Sequence, residues 1–273
     1  MMVHSQRDSV SVERGAIFYE VAGAGPGVAL IHAGIADHRM WDDQFSVFAE
    51  RFRVVRHDHR GFGASSTPDG PFSFRADLAA VLRAVGIERA HLIGTSLGGG
   101  VALDFALTYP ERVASLVLVA AALGGSQPSE ALRERWRAIN EARERDGLDA
   151  ANELELRLWV DGTGRTPEEV DPTVRERVRE MNRAVLAREP ENEAGGEPQR
   201  LDPPAIERLH EIAAPTLVLV GDRDVPDILA NAERLAAGIA GARKVVLPGV
   251  AHLPPLECPD EFNRIVLDFL ARR

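Results

Sequence analysis

The segment Gly94-Thr95-Ser96-Leu97-Gly98 follows the apolar run Ala90 to Ile93 and opens a glycine-rich helical stretch. Glycines two residues to either side of a serine suit a sharp strand-to-helix turn with no room for a Cβ at those places. The hydroxyl then stands exposed above a sheet with backbone amides beside it. That is the arrangement of a nucleophile elbow, and the same spacing with a merely capping serine is the alternative to weigh against it.

A serine hydroxyl is a weak nucleophile unless a base takes its proton and an acid orients that base. Among the eight histidines, His252 stands out. It follows a strand-like run and the turn Pro248-Gly249-Val250, and it precedes Leu253-Pro254-Pro255, which makes its loop rigid. His4, His91 and His210 sit at a leader, a strand start and the end of a polar segment. His57-Asp58-His59 has the residue types of a metal site, but as a strand it would put Asp58 on the opposite face from both histidines, so it reads as a strand-end loop. No metal and no cofactor is expected. The acid is sought in the loop Gly221-Asp222-Arg223-Asp224. Asp224 lies deeper there and can fold back towards His252, whereas Asp222 reads as a cap or a partner of Arg223 and Asp227 as the cap of the next helix.

The charge that develops in acyl transfer needs two preorganised N–H donors. Leu97 supplies one at a helix N-terminus, where the helix dipole favours an anion. The second is expected from the loop His32-Ala33-Gly34-Ile35, with Gly34 the residue that lets the backbone come close. Gly23-Ala24-Gly25-Pro26-Gly27 lacks the Lys-Ser/Thr of a phosphate loop and reads as a turn.

The elements that must position these groups alternate between strand and helix, the pattern of a mostly parallel sheet with helices on both faces. An opening antiparallel hairpin is predicted over 10–13 and 16–21. Six short apolar strands follow at 28–32, 53–57, 90–94, 113–120, 215–221 and 242–247, with helices at 40–51, 74–85, 97–109, 228–240 and 259–271. Residues 125–210 break the alternation with charged helices and sparse apolar stripes, ending in a turn-rich stretch over 189–204. The segment reads as a helical cap inserted into a core made of 1–124 and 211–273. Ile35, Trp136 and Trp159 are the candidate pocket residues, although a tryptophan in a cap also serves to anchor its small core.

Composition narrows the partners. A formal net charge of −10 over 273 residues argues against nucleic acid and anionic membrane, and the start MMVHSQRDSV has no signal-like apolar core, so a cytoplasmic protein acting on a small molecule is expected. The single cysteine, Cys258, forms no internal disulfide and reads as a small half-buried residue.

These residues together resemble the α/β-hydrolase fold over nearly the whole chain. The resemblance rests on His32-Ala33-Gly34, on Arg60-Gly61-Phe62-Gly63-Ala64-Ser65, on the elbow at Ser96, on Gly221-Asp222-Arg223-Asp224 and on Gly249-Val250-Ala251-His252. It implies a cap over a pocket above a Ser96, Asp224 and His252 triad. The chain departs from the family at Ala33, where glycine is usual. Ser96 excludes the branches that use an aspartate nucleophile. Residues 34–44 are similar to 3-oxoadipate enol-lactonases and related carboxylesterases, which implies hydrolysis of a small ester or lactone through an acyl-enzyme. A ligand-binding receptor on the same fold and a carbon–carbon bond hydrolase are the alternatives, the latter usually carrying a Ser-Gly-Pro-Gly loop where this chain has Gly34-Ile35-Ala36-Asp37.

Overall fold

The computed structural model describes residues 4–272; the first three residues of the N-terminal stretch lie outside the described residues. Eight strands, β1 (Ser5–Val12), β2 (Gly15–Ala22), β3 (Gly27–Ile31), β4 (Arg53–His57), β5 (Ala90–Thr95), β6 (Val113–Val119), β7 (Thr216–Gly221) and β8 (Arg243–Leu247), form one sheet in the order β1-β2-β4-β3-β5-β6-β7-β8. The β1–β2 and β2–β4 pairs are antiparallel and the others parallel.

The strand sequences are apolar on both sides because both sides are covered. Alternate residues divide between two cores. Ala29, Ile31, Leu116, Leu118, Val218 and Val220 pack in one. Val28, Leu30, Val117, Val119, Leu217 and Leu219 pack in the other. The first core receives α2 (Phe74–Ala84), α3 (Leu97–Thr108) and, later in the chain, the helix over 226–238. The second receives α1 (Asp42–Ala49) and the C-terminal helix over 259–270.

Register fixes where the loops begin. Ile31 lies opposite Gly94, Thr95 opposite Val119, Val119 opposite Leu219 and Gly221 opposite Leu247. The loops that carry His32, Ser96, Asp222 and Pro248 therefore leave the sheet along one carboxyl edge, the place where open parallel sheets bind ligands.

The opening hairpin is longer than its sequence signal. β1 starts at Ser5, before the apolar alternation, because as an edge strand it pairs only with β2 and can be polar. Ser5 Oγ and Arg7 Nε both donate to Glu20 Oε1 across the pair, at 2.6 and 3.1 Å.

Between β6 and β7 the chain folds into α4 (Glu130–Asp146), α5 (Leu148–Leu156), a π-helical turn over Arg157–Asp161, and α6 (Pro172–Gly195). The stretch read as turn-rich from 189 is helical to Gly195, through Pro190. Proline cannot donate to the carbonyl four residues back, here Leu186. Arg143 of α4 supplies that bond instead, Nη2 to Leu186 O at 2.7 Å, and pairs with Glu189 through Nη1. Trp136 does not anchor this segment, being 40% exposed; Leu132, Ile139, Leu156, Val178, Met181 and Leu186 are buried instead.

The chain closes with α7 (Pro226–Gly238), a short α8 (Pro254–Glu257) and α9 (Pro259–Leu270). Cys258 is half-buried between the last two, and burial pushes its thiol up to about 12, so it is inert as a nucleophile. No helix among the described residues is long and apolar enough to cross a membrane.

Candidate active site

Ser96 sits between β5 and α3 at φ +53° and ψ −116°, a strained conformation for a residue with a Cβ. The surroundings hold it there. Ser96 N donates to Val119 O at 2.9 Å, and Ser96 O accepts from Gly100 N and Ala122 N, both at 3.0 Å. A Cβ on Gly94 would lie 2.2 Å from Gly98 O, and one on Gly98 2.2 Å from Ile31 O, so both flanking glycines are required by close backbone approach. Ser96 occupies the cap position of α3, yet its side chain accepts no capping bond. Its half-buried hydroxyl makes no hydrogen bond among the described residues, and Leu97 N heads the helix beside it.

His252 and Asp224 are both buried, and His252 Nδ1 lies 2.8 Å from Asp224 Oδ2. A carboxylate only accepts, so the proton of the neutral ring is assigned to Nδ1, which leaves Nε2 as the basic nitrogen. The acid is fixed in turn, its Oδ1 accepting from Val225 N at 2.8 Å. Arg223 N donates to Val250 O, and a Cβ on Gly221 would lie 2.1 Å from that same oxygen, so the acid and histidine loops are in van der Waals contact. The other two aspartates of this region face elsewhere. Asp222 Oδ1 accepts from Gly249 N at 2.7 Å and lies 3.6 Å from Arg223 Nε. Asp227 does not cap α7, whose N-cap is Val225 ahead of Pro226; its carboxylate accepts from Ser129 N and Oγ at the start of α4.

The inserted helices reach the histidine directly. Trp159 packs its ring 4.5 Å from that of His252 and accepts from His252 N at 3.3 Å. Arg165 ties the loop behind it, donating to Asp161 O, Val160 O and Gly249 O and pairing with Glu257 at 2.7 Å, while Glu257 Oε1 accepts from Ala251 N. Burial raises the Glu257 carboxyl, and Arg165 opposes that rise. Neither Arg165 nor Glu257 stands in a motif; their roles exist only once 165, 249 and 257 are neighbours.

On the opposite side, Gly34 is half-buried, and a Cβ added to it would lie 3.7 Å from Leu97 Cβ, so the two residues are neighbours across the turn. Ala33, the departure noted above, is fully buried with an ordinary negative φ, so its methyl group is accommodated without strain. Its N–H is taken by Met40 Sδ at 3.2 Å.

A cavity of about 510 Å³ opens over Ser96 and Leu97, walled by Leu123, Leu132, Trp136, Trp159 and Ile228, with Gln127, Asp227, Asn231 and Arg234 also lining it. Trp136 and Trp159 are both among its lining residues. Ile35 is not: it is half-buried and packs against the second of the two cores, on the other side of the sheet. A second cavity of similar volume reaches Gly34 from the side of Phe62, Phe72 and Phe74.

His57, Asp58 and His59 do not converge. Asp58 turns to His38, accepting from its N and Nδ1 at 2.8 Å, and to Ala64 N at 2.8 Å. Burial opposes its ionisation, but these bonds prevail and hold its carboxyl at about 2. Among the described residues the group with metal-like spacing is instead Asp37, His38 and Asp58, whose ligand atoms lie within 4.8 Å of one another, and there both Asp37 oxygens are already bonded by Arg39.

His57 is fully buried with neither ring nitrogen hydrogen-bonded, and burial pushes its imidazole down from 6.5 to about 3. The unfolded chain takes up this proton near 6.5 and the folded one only near 3, so between those values stability falls as the pH falls. His57→Phe removes the group that resists protonation. The loss in Tm between about pH 7 and about pH 4 is therefore expected to be smaller in this variant than in the parent. Equal losses in the two proteins would refute it.

The family model for the alpha/beta hydrolase fold matches residues 26–259. The 2-hydroxy-6-oxo-6-phenylhexa-2,4-dienoate hydrolase of Comamonas testosteroni is 32% identical over 94% of this chain and 92% of its own length. Among solved structures, an esterase from Thermogutta terrifontis superposes with a TM-score of 0.80 at 29% identity over 98% of both chains. The enol-lactonase from Burkholderia xenovorans superposes with a TM-score of 0.79 at 26% identity, over 97% of this chain and all of the other.

Proposed function

Because the chain belongs to the alpha/beta hydrolase fold family, we propose that it hydrolyses a small carboxylic ester or lactone through an acyl-enzyme on Ser96. The observation that carries this reading is the buried Asp224–His252 pair at the same sheet edge as a strained, unbonded serine that faces a cavity. Ser96 Oγ attacks the carbonyl carbon while His252 Nε2 takes its proton, and the oxyanion forms against the amides of Leu97 and Gly34. The carbon–oxygen bond to the alcohol then breaks and His252 returns the proton to the leaving oxygen. Water repeats the sequence on the acyl-enzyme and releases the acid. Asp224 orients the ring and stabilises it when charged. In this reading the helices of 125–210 act as the cap over the cavity and the rest of the chain as the core. The chemistry draws on no cofactor.

Carbon–carbon bond hydrolysis is the second reading, favoured by the similarity to the dienoate hydrolase. Expelling a carbon leaving group calls for polar groups that protonate or hold a carbanion. Apolar residues, Leu97, Leu123, Leu132, Trp159 and Ile228 among them, make up the larger part of the cavity wall, and of its polar residues Asp227 is already bonded to Ser129, which supports the simpler ester reaction. Mixing the protein with p-nitrophenyl acetate is expected to release a burst of p-nitrophenolate stoichiometric with protein, unchanged by EDTA. No turnover of esters or lactones, with turnover of a vinylogous diketone, would replace the ester reading by the second. No turnover of either would point to a receptor, and loss on chelation with recovery on added zinc would overturn the metal-free mechanism.

A further inference from the structure

The loop that offers Gly34 is shaped from beneath by an imidazole the catalytic reading leaves unused. His32 is fully buried. The backbone N–H of His59 donates to its Nε2 at 2.9 Å, and since an N–H can only donate, Nε2 must be the unprotonated nitrogen. The ring hydrogen is then on Nδ1, which lies 2.8 Å from Ala33 O and donates to it. Ala36 N donates to the same oxygen at 3.2 Å. Burial lowers the His32 pKa, in keeping with a neutral ring.

Ala33 C=O and Gly34 N–H belong to one planar trans peptide and point in opposite directions. Holding the carbonyl against the ring therefore aims the Gly34 N–H away from it. That amide has no acceptor among the described residues, whereas the Ala33 N–H just before it is bonded to Met40 Sδ. We propose that His32 is a positioning residue for the reaction: its Nδ1–H bond to Ala33 O sets the direction of the Gly34 amide and so preorganises the second oxyanion donor. The proposal rests on the acyl-transfer reading above.

Two variants separate this role from simple support of the His59 loop. His32→Asn places an amide N–H where Nδ1 stood and keeps the donor to Ala33 O. His32→Gln reaches instead towards the Nε2 position and can accept from His59 N, but has no donor for Ala33 O. Losing one oxyanion donor costs about 10²- to 10³-fold in kcat. We expect kcat for a p-nitrophenyl ester to fall on the order of a hundredfold in His32→Gln with KM nearly unchanged, and His32→Asn to recover most of the loss. The reverse order, or a loss carried by KM, would overturn the proposal.

Should neither variant fold, the parent protein answers by NMR. When phenylboronic acid forms its tetrahedral adduct on Ser96, the amide resonances of Gly34 and Leu97 should both shift, and the His32 nitrogens should report a protonated Nδ1 and a bare, accepting Nε2. A Leu97 shift without a Gly34 shift would overturn the role of His32 while leaving acyl transfer standing. Failure to form the adduct, in a protein that also turns over no ester, would remove both.

Discussion

Ser96→Ala is expected to lower ester turnover by about a million-fold, to the level that cavity binding and the oxyanion amides sustain alone. The effect is large because Ser96 is the hydroxyl at the strained turn, whereas Ser129, which also lines the cavity, is tied to Asp227 and Leu132, and Cys258 lies by the C-terminal helix with its thiol pushed up to about 12. The fold should be indifferent. Ser96 Oγ makes no hydrogen bond among the described residues, and alanine meets the same strain at φ +53°, so the change in stability is expected within about 0.5 kcal/mol. Ser96→Gly is equally inactive but should be the more stable of the two, since glycine adopts positive φ without a Cβ. Turnover of the alanine variant against p-nitrophenyl acetate, with Tm recorded for all three proteins, checks both halves. Retention of more than a few per cent of activity would require a different nucleophile.

Much of the architecture was legible because the strands obey a simple rule. Short β-branched runs buried on both faces are conspicuous in sequence, and strands 53–57 and 90–95 fall within a residue of where the apolar runs place them. The elbow was legible for a related reason: its two glycines answer to contacts with Gly98 O and Ile31 O that any residue with a Cβ would violate. The neighbours of His252 were half legible. Asp224 follows a strand end and can reach it, but Trp159 touches the imidazole from an insertion almost a hundred residues earlier, and nothing local in Leu158-Trp159-Val160 announces that contact. The His32 loop carries no local sign of its ring's bonding, because Nε2 accepts from His59 N, which lies 27 residues away. Helix α6 ran on past Pro190 because Arg143, on another helix, supplies the bond that proline forfeits. Ile35 adjoins Gly34 in sequence, yet it packs against the opposite core. In each case the missing information was a long-range partner rather than a local preference.

The choice between two neighbouring aspartates gives the second large effect. Asp224→Asn should cost about ten-thousand-fold in kcat/KM, as the corresponding change does in the serine-protease template. Here the structure supplies the reason in detail. Val225 N donates to Asp224 Oδ1, so an asparagine there keeps its carbonyl oxygen on that side and turns its NH₂ towards His252. An N–H facing Nδ1 makes that nitrogen the acceptor and moves the ring proton to Nε2, where it blocks abstraction of the Ser96 proton. Asp222→Asn presents no such conflict. Its oxygen can go on accepting from Gly249 N, and the partner it loses, Arg223 at 3.6 Å, belongs to an exposed ion pair of little worth. A change of no more than about threefold is expected for it. Steady-state kinetics of the two variants on one ester at one pH decide the matter: equal losses, or a larger loss at 222, would displace Asp224 as the acid and leave His252 in need of another partner.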